Sequence, residues 1–374
     1  MKVLIVKLSS IGDVIHTLPA LFAMKEGYKK KDSDFEIDWI VEEAASVLLV
    51  GNPLIDNVIV VKRKGWSRSF KENWRVAKRL RARRYDMVID FQGLFKSALW
   101  VLLSRGKRRI GFGGGRELSS IVLNDRLPPY DPEKHAVERY LDLALYAGGK
   151  VEGGIVFPVH ITDEERASAE ELVAEAADTD SIDSPVSAHS SAHSSKDRKK
   201  FFVIVPRARW STKEWRDESF IELTRTVSER YSLHALIVGT SEDRAGLEQM
   251  AESIGAGATN LAGRTSLKEL AALFGMAEFA ITVDTGPMHL AAAMSTTTIA
   301  LFGPTAPWRT GPYGKEHLVL RIGTECSPCF KRECPLPKTE GRRDPKCMSE
   351  ITPATVAEAI ERLLKAKRGT FKEN

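Results

Sequence analysis

A chain of 374 residues, 43% hydrophobic and 28% charged, has the balance of an ordinary globular protein of two to three domains. It is long enough to bury a core without help from disulfides or metal, and it has no apolar run near 18 residues, which excludes a transmembrane helix. The net charge of +5 is uneven: residues 1–150 hold 27 Lys and Arg against 18 Asp and Glu, a balance of +9, and the remainder holds 28 against 32, a balance of −4.

The apolar run Val3-Leu4-Ile5-Val6 is broken by Lys7 and then Asp13, which argues against a secretory signal. Only four cysteines occur, none before Cys326, so a disulfide scaffold is excluded and a cytoplasmic location is expected. Strands are predicted at 2–8, 36–42, 57–61, 85–91 and 107–112, short and almost continuously apolar, as parallel strands buried on both faces should be. Helices are predicted between them, including 97–103 and 136–145. Another places Phe70, Trp74, Ala77 and Leu80 on one apolar face. Residues 62–84 carry eleven cations and one acid, Glu72. Such a face suits nucleic acid, phosphorylated sugars or an anionic membrane; a solvated helix face is the simpler alternative.

Residues 178–200 are rich in serine and charge and read as a linker or surface insertion. His189 and His193 lie in it without further ligand-type neighbours and do not suggest a metal site. The alternation then restarts, with strands predicted at 201–206, 234–239, 278–283 and 297–302. Helices follow at 217–230, 242–254, 266–275, 286–294 and 353–366, the last opened by Thr352-Pro353. The pattern predicts an α/β protein with two Rossmann-like doubly wound domains facing a cleft, at 1–177 and 201–350. A linker at 178–200 and a C-terminal helix and tail at 351–374 complete it. Ligands are expected outside the carboxyl ends of the strands.

Four strand-to-helix turns carry candidate chemistry. Ser9-Ser10-Ile11-Gly12-Asp13 follows the first strand. Gly12 allows close backbone approach, and Asp13 is either a helix cap or a carboxylate base. Arg209, Ser211, Thr212 and Lys213 place a guanidinium, two hydroxyls and an ammonium in one loop, equipment for a diphosphate. Asp284-Thr285-Gly286 opens a helix whose amides and dipole favour an anion, with His289 in the first turn. Glu242 follows another strand at the start of a helix, where it could hold a ribose hydroxyl pair or simply stabilise the helix dipole. The run Gly111-Phe112-Gly113-Gly114-Gly115 imitates a dinucleotide loop. It lacks the third glycine of that fingerprint and a ribose-binding acid beyond it, which argues against a nicotinamide-dependent enzyme. Cys326, Cys329, Cys334 and Cys347, spaced C-x2-C-x4-C-x12-C, could form a structural zinc site or remain reduced thiols.

Taken together, these segments resemble glycosyltransferase family 9, the bacterial lipopolysaccharide heptosyltransferases, and the heptosyltransferase I branch in particular. The matching stretches are KVLIVKLSSIGDVIHTLPAL, WIVEEAA, VIDFQGLFKSA, KHAVER, RARWSTKEW, DTGPMHLAAAM and FGPTAPWRTGPYG, in order over nearly the whole chain. The RARWSTKEW loop departs from that branch in having Ala208-Arg209 where consecutive threonines are usual. The resemblance implies a GT-B fold, with an N-terminal acceptor domain and a C-terminal domain for ADP-heptose. It implies an inverting transfer without an obligatory metal, onto the Kdo of lipid A. Asp13 would be the base. Arg209, Ser211, Thr212, Lys213, Glu242, Asp284, Thr285, Gly286 and His289 would hold the donor. Ser10, Gly12, Arg63, Arg116 and His135 would meet the anionic acceptor at the cytoplasmic face of the inner membrane. Nucleic acid is not an expected partner, because no recognised motif accompanies the basic helix.

Overall fold

The computed structural model describes residues 1–29, 34–62, 70–178, 200–336 and 345–370. They form two compact units, the first of residues Met1–His160 with Trp308–Thr310, the second of Ile161–Pro307 and Gly311–Asn374.

The first unit runs β1 (Lys2–Val6), α1 (Ile11–Tyr28), β2 (Glu36–Glu42), α2 (Glu43–Ser46), β3 (Asn57–Val61), α3 (Phe70–Arg83), β4 (Met87–Asp90) and α4 (Phe95–Ser104). It continues with β5 (Arg108–Phe112), a 3-10 segment (Arg116–Val122), β6 (Asp125–Leu127) and α5 (Ala136–Tyr146). Its six strands are parallel in the order β3-β2-β1-β4-β5-β6. Val3, Leu4, Ile5 and Val6 are wholly buried, as a central strand covered on both faces requires. Helix α1 packs along α5, and Gly27 makes this possible: a Cβ there would lie 2.2 Å from the Gly148 carbonyl oxygen. A buried network ties α3 to the sheet. Asp38, 1% exposed, accepts from Arg83 Nε at 2.9 Å, Tyr85 Oη at 2.7 Å and Asn57 Nδ2 at 2.9 Å. Burial pushes the Asp38 carboxyl upward, but these donors outweigh it and hold it below the ordinary carboxylate range.

The second unit runs α6 (Asp163–Asp178), β7 (Phe201–Val205), α7 (Asp217–Tyr231), β8 (His234–Ile237), α8 (Arg244–Ile254), β9 (Ala258–Asn260) and α9 (Leu267–Met276). It continues with β10 (Ala280–Val283), α10 (Gly286–Ala293), β11 (Thr298–Phe302), α11 (Pro307–Thr310), β12 (Leu318–Arg321), α12 (Lys346–Ser349) and α13 (Pro353–Thr370), with Trp308–Thr310 of α11 belonging to the first unit. The strand order is β12-β11-β10-β7-β8-β9, again all parallel. Both sheets therefore share one topology. In each, the order reverses beside the unit's first strand, between β1 and β4 and between β7 and β10. That reversal is where a doubly wound sheet opens a ligand crevice.

The long predicted strands and helices are present, and β6, β9 and β12, only three or four residues each, were not foreseen. Three expectations are corrected. The first unit ends at His160, not at 177, because α6 packs on α9: Ser168 Oγ donates to Glu269 Oε1 at 2.6 Å, and Lys268 pairs with Glu165 at 3.4 Å. The C-terminal helix is no separate appendage; Val356 and Ile360 are wholly buried in the second core against α7. Its opening is as expected, with Thr355 N donating to Thr352 Oγ1 at 3.2 Å. In α3, Ala77 and Leu80 are buried but Trp74 is 43% exposed, its ring beside Lys78 and Arg81. The insertion at 179–199, with His189 and His193, lies outside the described residues. The glycine run after β5 serves packing: a Cβ on Gly111 would meet the Leu123 side chain at 2.7 Å.

Candidate active site

In the first unit the loop after β1 meets the loop after β4. Gln92 Oε1 accepts from the backbone of Leu8 and Ser9, each at 3.1 Å. Lys96 Nζ reaches both Ser9 Oγ and the buried Glu42 Oε1 at 2.7 Å. These bonds fix the chain where it enters α1.

Asp13 divides its two oxygens between two tasks. Oδ2 accepts from Ser10 N at 3.0 Å and Ser10 Oγ at 2.9 Å, closing the helix N-terminus. Oδ1 accepts from Tyr140 Oη at 3.0 Å and lies 3.6 Å from Lys7 Nζ. The cap and base readings are thus compatible on one side chain, which remains 38% exposed. Lys7 is 2% exposed, donates to Tyr140 Oη at 2.6 Å and to the Phe91 carbonyl at 3.0 Å, and sits over the Tyr140 ring. Desolvation pushes the Asp13 carboxyl up, but Lys7, Ser10 and Tyr140 together bring it below the ordinary range. Desolvation lowers the Lys7 ammonium, with Asp13 and Asp90 opposing. Buried Asp90 is shifted upward by desolvation, opposed by the Gly93 and Gln92 amides and the Ser97 hydroxyl.

The other candidates near Asp13 are placed as follows. Ser10 serves the carboxylate, and Gly12 is buried in the first turn of α1. His135 caps α5, its Nδ1 accepting from Val137 N at 3.2 Å, and meets the buried His16 edge-on. Arg63 and the Arg116 side chain lie outside the described residues.

In the second unit, Lys213 Nζ stands 2.7 Å from Asp284 Oδ2, which also accepts from Thr305 Oγ1 at 2.6 Å. Asp284 is 6% exposed, so it anchors the lysine from behind. Trp210 carries Lys213 Nζ 4.6 Å from its ring centre and the Arg332 guanidinium at 5.4 Å. Arg209 and Ser211 are exposed on the same loop. Thr212 is buried and donates to the Lys331 carbonyl at 3.0 Å, so its hydroxyl is engaged with the cysteine segment. Trp215 is a core residue, its Nε1 donating to the Ile351 carbonyl at 2.8 Å. Thr285 and Gly286 open α10 half-buried, at the carboxyl end of β10, and His289 is buried in the first turn. After β8, the neighbouring Asp243 takes the capping role from Thr240, at 2.9 Å to N and 2.7 Å to Oγ1. Glu242 is left exposed, its carboxyl lowered by its own amide and by the Thr240 and Ser241 hydroxyls.

All four cysteines are free, and they line one small cavity of about 10 Å³ together with Thr212, Lys331 and Lys346. Burial and the other three cysteines push the Cys347 thiol up to about 11. Among the described residues, no three of His, Cys, Asp and Glu stand together as a metal-ligand set.

Sequence reasoning missed Lys7, Tyr140, Lys96 and Thr305. Lys7 carried a signal, a lone cation closing an apolar strand. Tyr140 carried none, since it reaches Asp13 across 127 positions.

A model of glycosyltransferase family 9 (heptosyltransferase) matches residues 73–340. Lipopolysaccharide heptosyltransferase 1 of Pseudomonas aeruginosa is 31% identical, covering 98% of this chain and 99% of that one. Lipooligosaccharide heptosyltransferase 2 of Campylobacter jejuni is 23% identical over 97% of this chain and 99% of its own. The solved E. coli heptosyltransferase WaaC with ADP-2-deoxy-2-fluoro heptose superposes with a TM-score of 0.71 at 26% identity, covering 97% of this chain and 99% of that one. This chain belongs to glycosyltransferase family 9, the heptosyltransferases.

Proposed function

We propose that the protein transfers L-glycero-D-manno-heptose from ADP-heptose to the Kdo of lipid A, with inversion, in lipopolysaccharide inner-core synthesis. The observation that carries this reading is Asp13, one oxygen committed to the helix cap and the other held beside Lys7 and Tyr140 in a partly open side chain. The acceptor hydroxyl oxygen bonds to the anomeric carbon as the bond to ADP breaks, and Asp13 takes the hydroxyl proton. A carboxylate of lowered pKa suffices. The hydroxyl becomes strongly acidic only as its new bond forms, and a base that is always ionised is ready at that moment.

The departing diphosphate gathers negative charge. Lys213, Arg209 and the amide end of α10, at Thr285 and Gly286, would stabilise it, with Asp284 and Thr305 fixing the lysine. Glu242 would accept from the ribose hydroxyls, and Ser211 and His289 would complete the donor site. Ser10, Gly12, Arg63, Arg116 and His135 would meet the acceptor's carboxylates and phosphates. The +9 balance of residues 1–150 suits that acceptor and a peripheral position at the cytoplasmic face of the inner membrane.

A second reading keeps the donor and changes the acceptor to a later core sugar. The similarity to a heptosyltransferase 2 over nearly the whole chain favours keeping it in view. The test is ADP release from ADP-heptose with Kdo-lipid A, with Asp13→Asn alongside. Acceptor-dependent release that falls about 100-fold or more in the variant, with ADP binding unchanged, is expected. Saturable ADP binding without release on this acceptor would favour the second reading, and comparable turnover in Asp13→Asn would remove Asp13 as the base.

A further inference from the structure

We propose that one edge of the first unit, formed by α4 and the 3-10 segment Arg116–Val122, docks onto an anionic lipid bilayer beside the Asp13 loop. The purpose of such docking, delivery of a lipid-borne acceptor, rests on the transferase reading above; the surface itself does not.

Four large apolar side chains stand open on this edge: Phe95 at 65% exposed, Leu102 at 55%, Leu118 at 76% and Ile121 at 68%. Phe95, half-buried Leu99 and Leu102 follow one stripe of α4, while Ala98, Val101 and Ser104 face inward. The two segments are joined, with Phe95 N donating to Glu117 Oε2 at 3.0 Å. Glu117 and Leu118 hold left-handed backbone, φ 56° and 60°, a conformation that side chains other than glycine rarely adopt. Leu118 gains no packing in return for it. Scattered apolar residues on a surface are ordinary, but a group of four on adjoining segments marks an interaction site.

The charge around the edge selects the partner. Helix α3 packs on α4, Arg81 Nε donating to the Leu103 carbonyl at 3.3 Å. Lys71, Arg75, Lys78, Arg79 and Arg84 are exposed on or just beyond α3, and Arg105 is exposed at the end of α4. The acid of α3, Glu72, is paired with Lys62 at 3.3 Å. Exposed Trp74 stands among these cations. Apolar side chains flanked by Lys, Arg and Trp fit the boundary between headgroups and acyl chains of an anionic leaflet. A protein partner or a second copy would need a matching acidic rim, and its binding would not follow lipid charge. No helix among the described residues is long and apolar enough to cross a membrane, so the contact is of the interfacial kind. The placement is also apt: Lys96, next to Phe95, reaches Ser9 Oγ in the loop that leads to Asp13.

Co-sedimentation with vesicles tests the proposal. Phosphatidylcholine vesicles are compared with vesicles containing about one third phosphatidylglycerol. Salt-sensitive binding to the anionic vesicles is expected. It should fall at least about tenfold in a Phe95→Ser, Leu118→Ser, Ile121→Ser triple variant, and about fivefold per cation removed in Lys78→Gln, Arg79→Gln and Arg105→Gln. Both variants should keep ADP affinity and turnover on a de-acylated, soluble acceptor. No binding by the native protein, or binding that both variants retain, overturns the proposal. A native dimer that the apolar variant dissolves, without vesicle binding, reassigns the edge to a contact between copies. Vesicle binding lost in the variants, in a protein inactive on every soluble acceptor, would leave the docking surface standing and remove the transferase reading instead.

Discussion

Replacing Lys7 by Met tests the electrostatics of the proposed base directly. The methionine keeps the length of the stem and removes one buried charge 3.6 Å from Asp13 Oδ1. Two unit charges at that separation attract by about 5 kcal/mol at an effective dielectric constant near 20. Asp13 is more than one third exposed, so solvent screens much of this, and roughly 1–2 kcal/mol remains, about one pH unit of carboxyl shift. The sign follows from the chemistry. Asp13 must be ionised to act, and its carboxyl now lies below the ordinary range, so activity fails only at low pH. Without Lys7, burial still pushes the carboxyl up, and the acid limb of kcat/KM should move to higher pH by about one unit. The assay is ADP release across pH 4–8 for the native protein, Lys7→Met and Tyr140→Phe, each first checked for folding by circular dichroism. Tyr140→Phe removes the hydrogen bond to Asp13, together with the one from Lys7, and no charge, so its limb should move less. Coincident acid limbs in native and Lys7→Met proteins would refute the coupling. Activity lost equally at every pH would give Lys7 a direct role on the substrate.

Lys213→Met should weaken ADP binding about 10- to 100-fold and AMP binding little, measured by calorimetry, because a charge-assisted contact to the β-phosphate is lost. Equal losses for both nucleotides would place Lys213 elsewhere. Arg83→Met strands the buried Asp38 carboxylate and should cost about 3 kcal/mol, seen as a lowered Tm of the first unit. The depressed Asp38 carboxyl contributes stability above the ordinary carboxylate pKa, and this is lost as pH falls through its lower folded value. The variant lacks that contribution, so the Tm gap between it and the native protein should narrow as pH falls below the ordinary carboxylate range, and a gap that stays constant with pH would contradict the network. With its thiol pushed up to about 11, Cys347 should alkylate roughly 100-fold more slowly at pH 8 than an ordinary thiol, while half-exposed Cys326, Cys329 and Cys334 react readily. Equal rates for all four by mass spectrometry would show that the burial is wrong.

The alternation of apolar runs with helical patterns was enough to call two doubly wound sheets, because a parallel strand must be apolar on both faces and a crossover helix on one. Short strands such as β6 and β12 escaped, since three or four residues carry too little pattern to stand out from loops. The boundary at 160 escaped for another reason. Whether α6 belongs to the unit before it or after it depends on the α9 surface it meets, and nothing within residues 163–178 names that surface. Trp74 shows the same limit: helical periodicity put it on the apolar face, while packing kept Ala77 and Leu80 and left Trp74 beside its cations.

By itself, the sequence determined the fold class, the family, and the strand-to-helix turns that hold Asp13, Lys213, Glu242 and Asp284. These depend on local pattern and on motifs a few residues long. The tertiary structure alone decided which oxygen of Asp13 caps the helix, that Lys7 and Tyr140 hold the other, and that Asp284 serves Lys213 from behind. It also turned Thr212 toward the cysteine segment and left Phe95 and Leu118 uncovered. Each of these depends on contacts between residues far apart in the chain, and the direction a side chain takes there is set by what the other segments leave open to it.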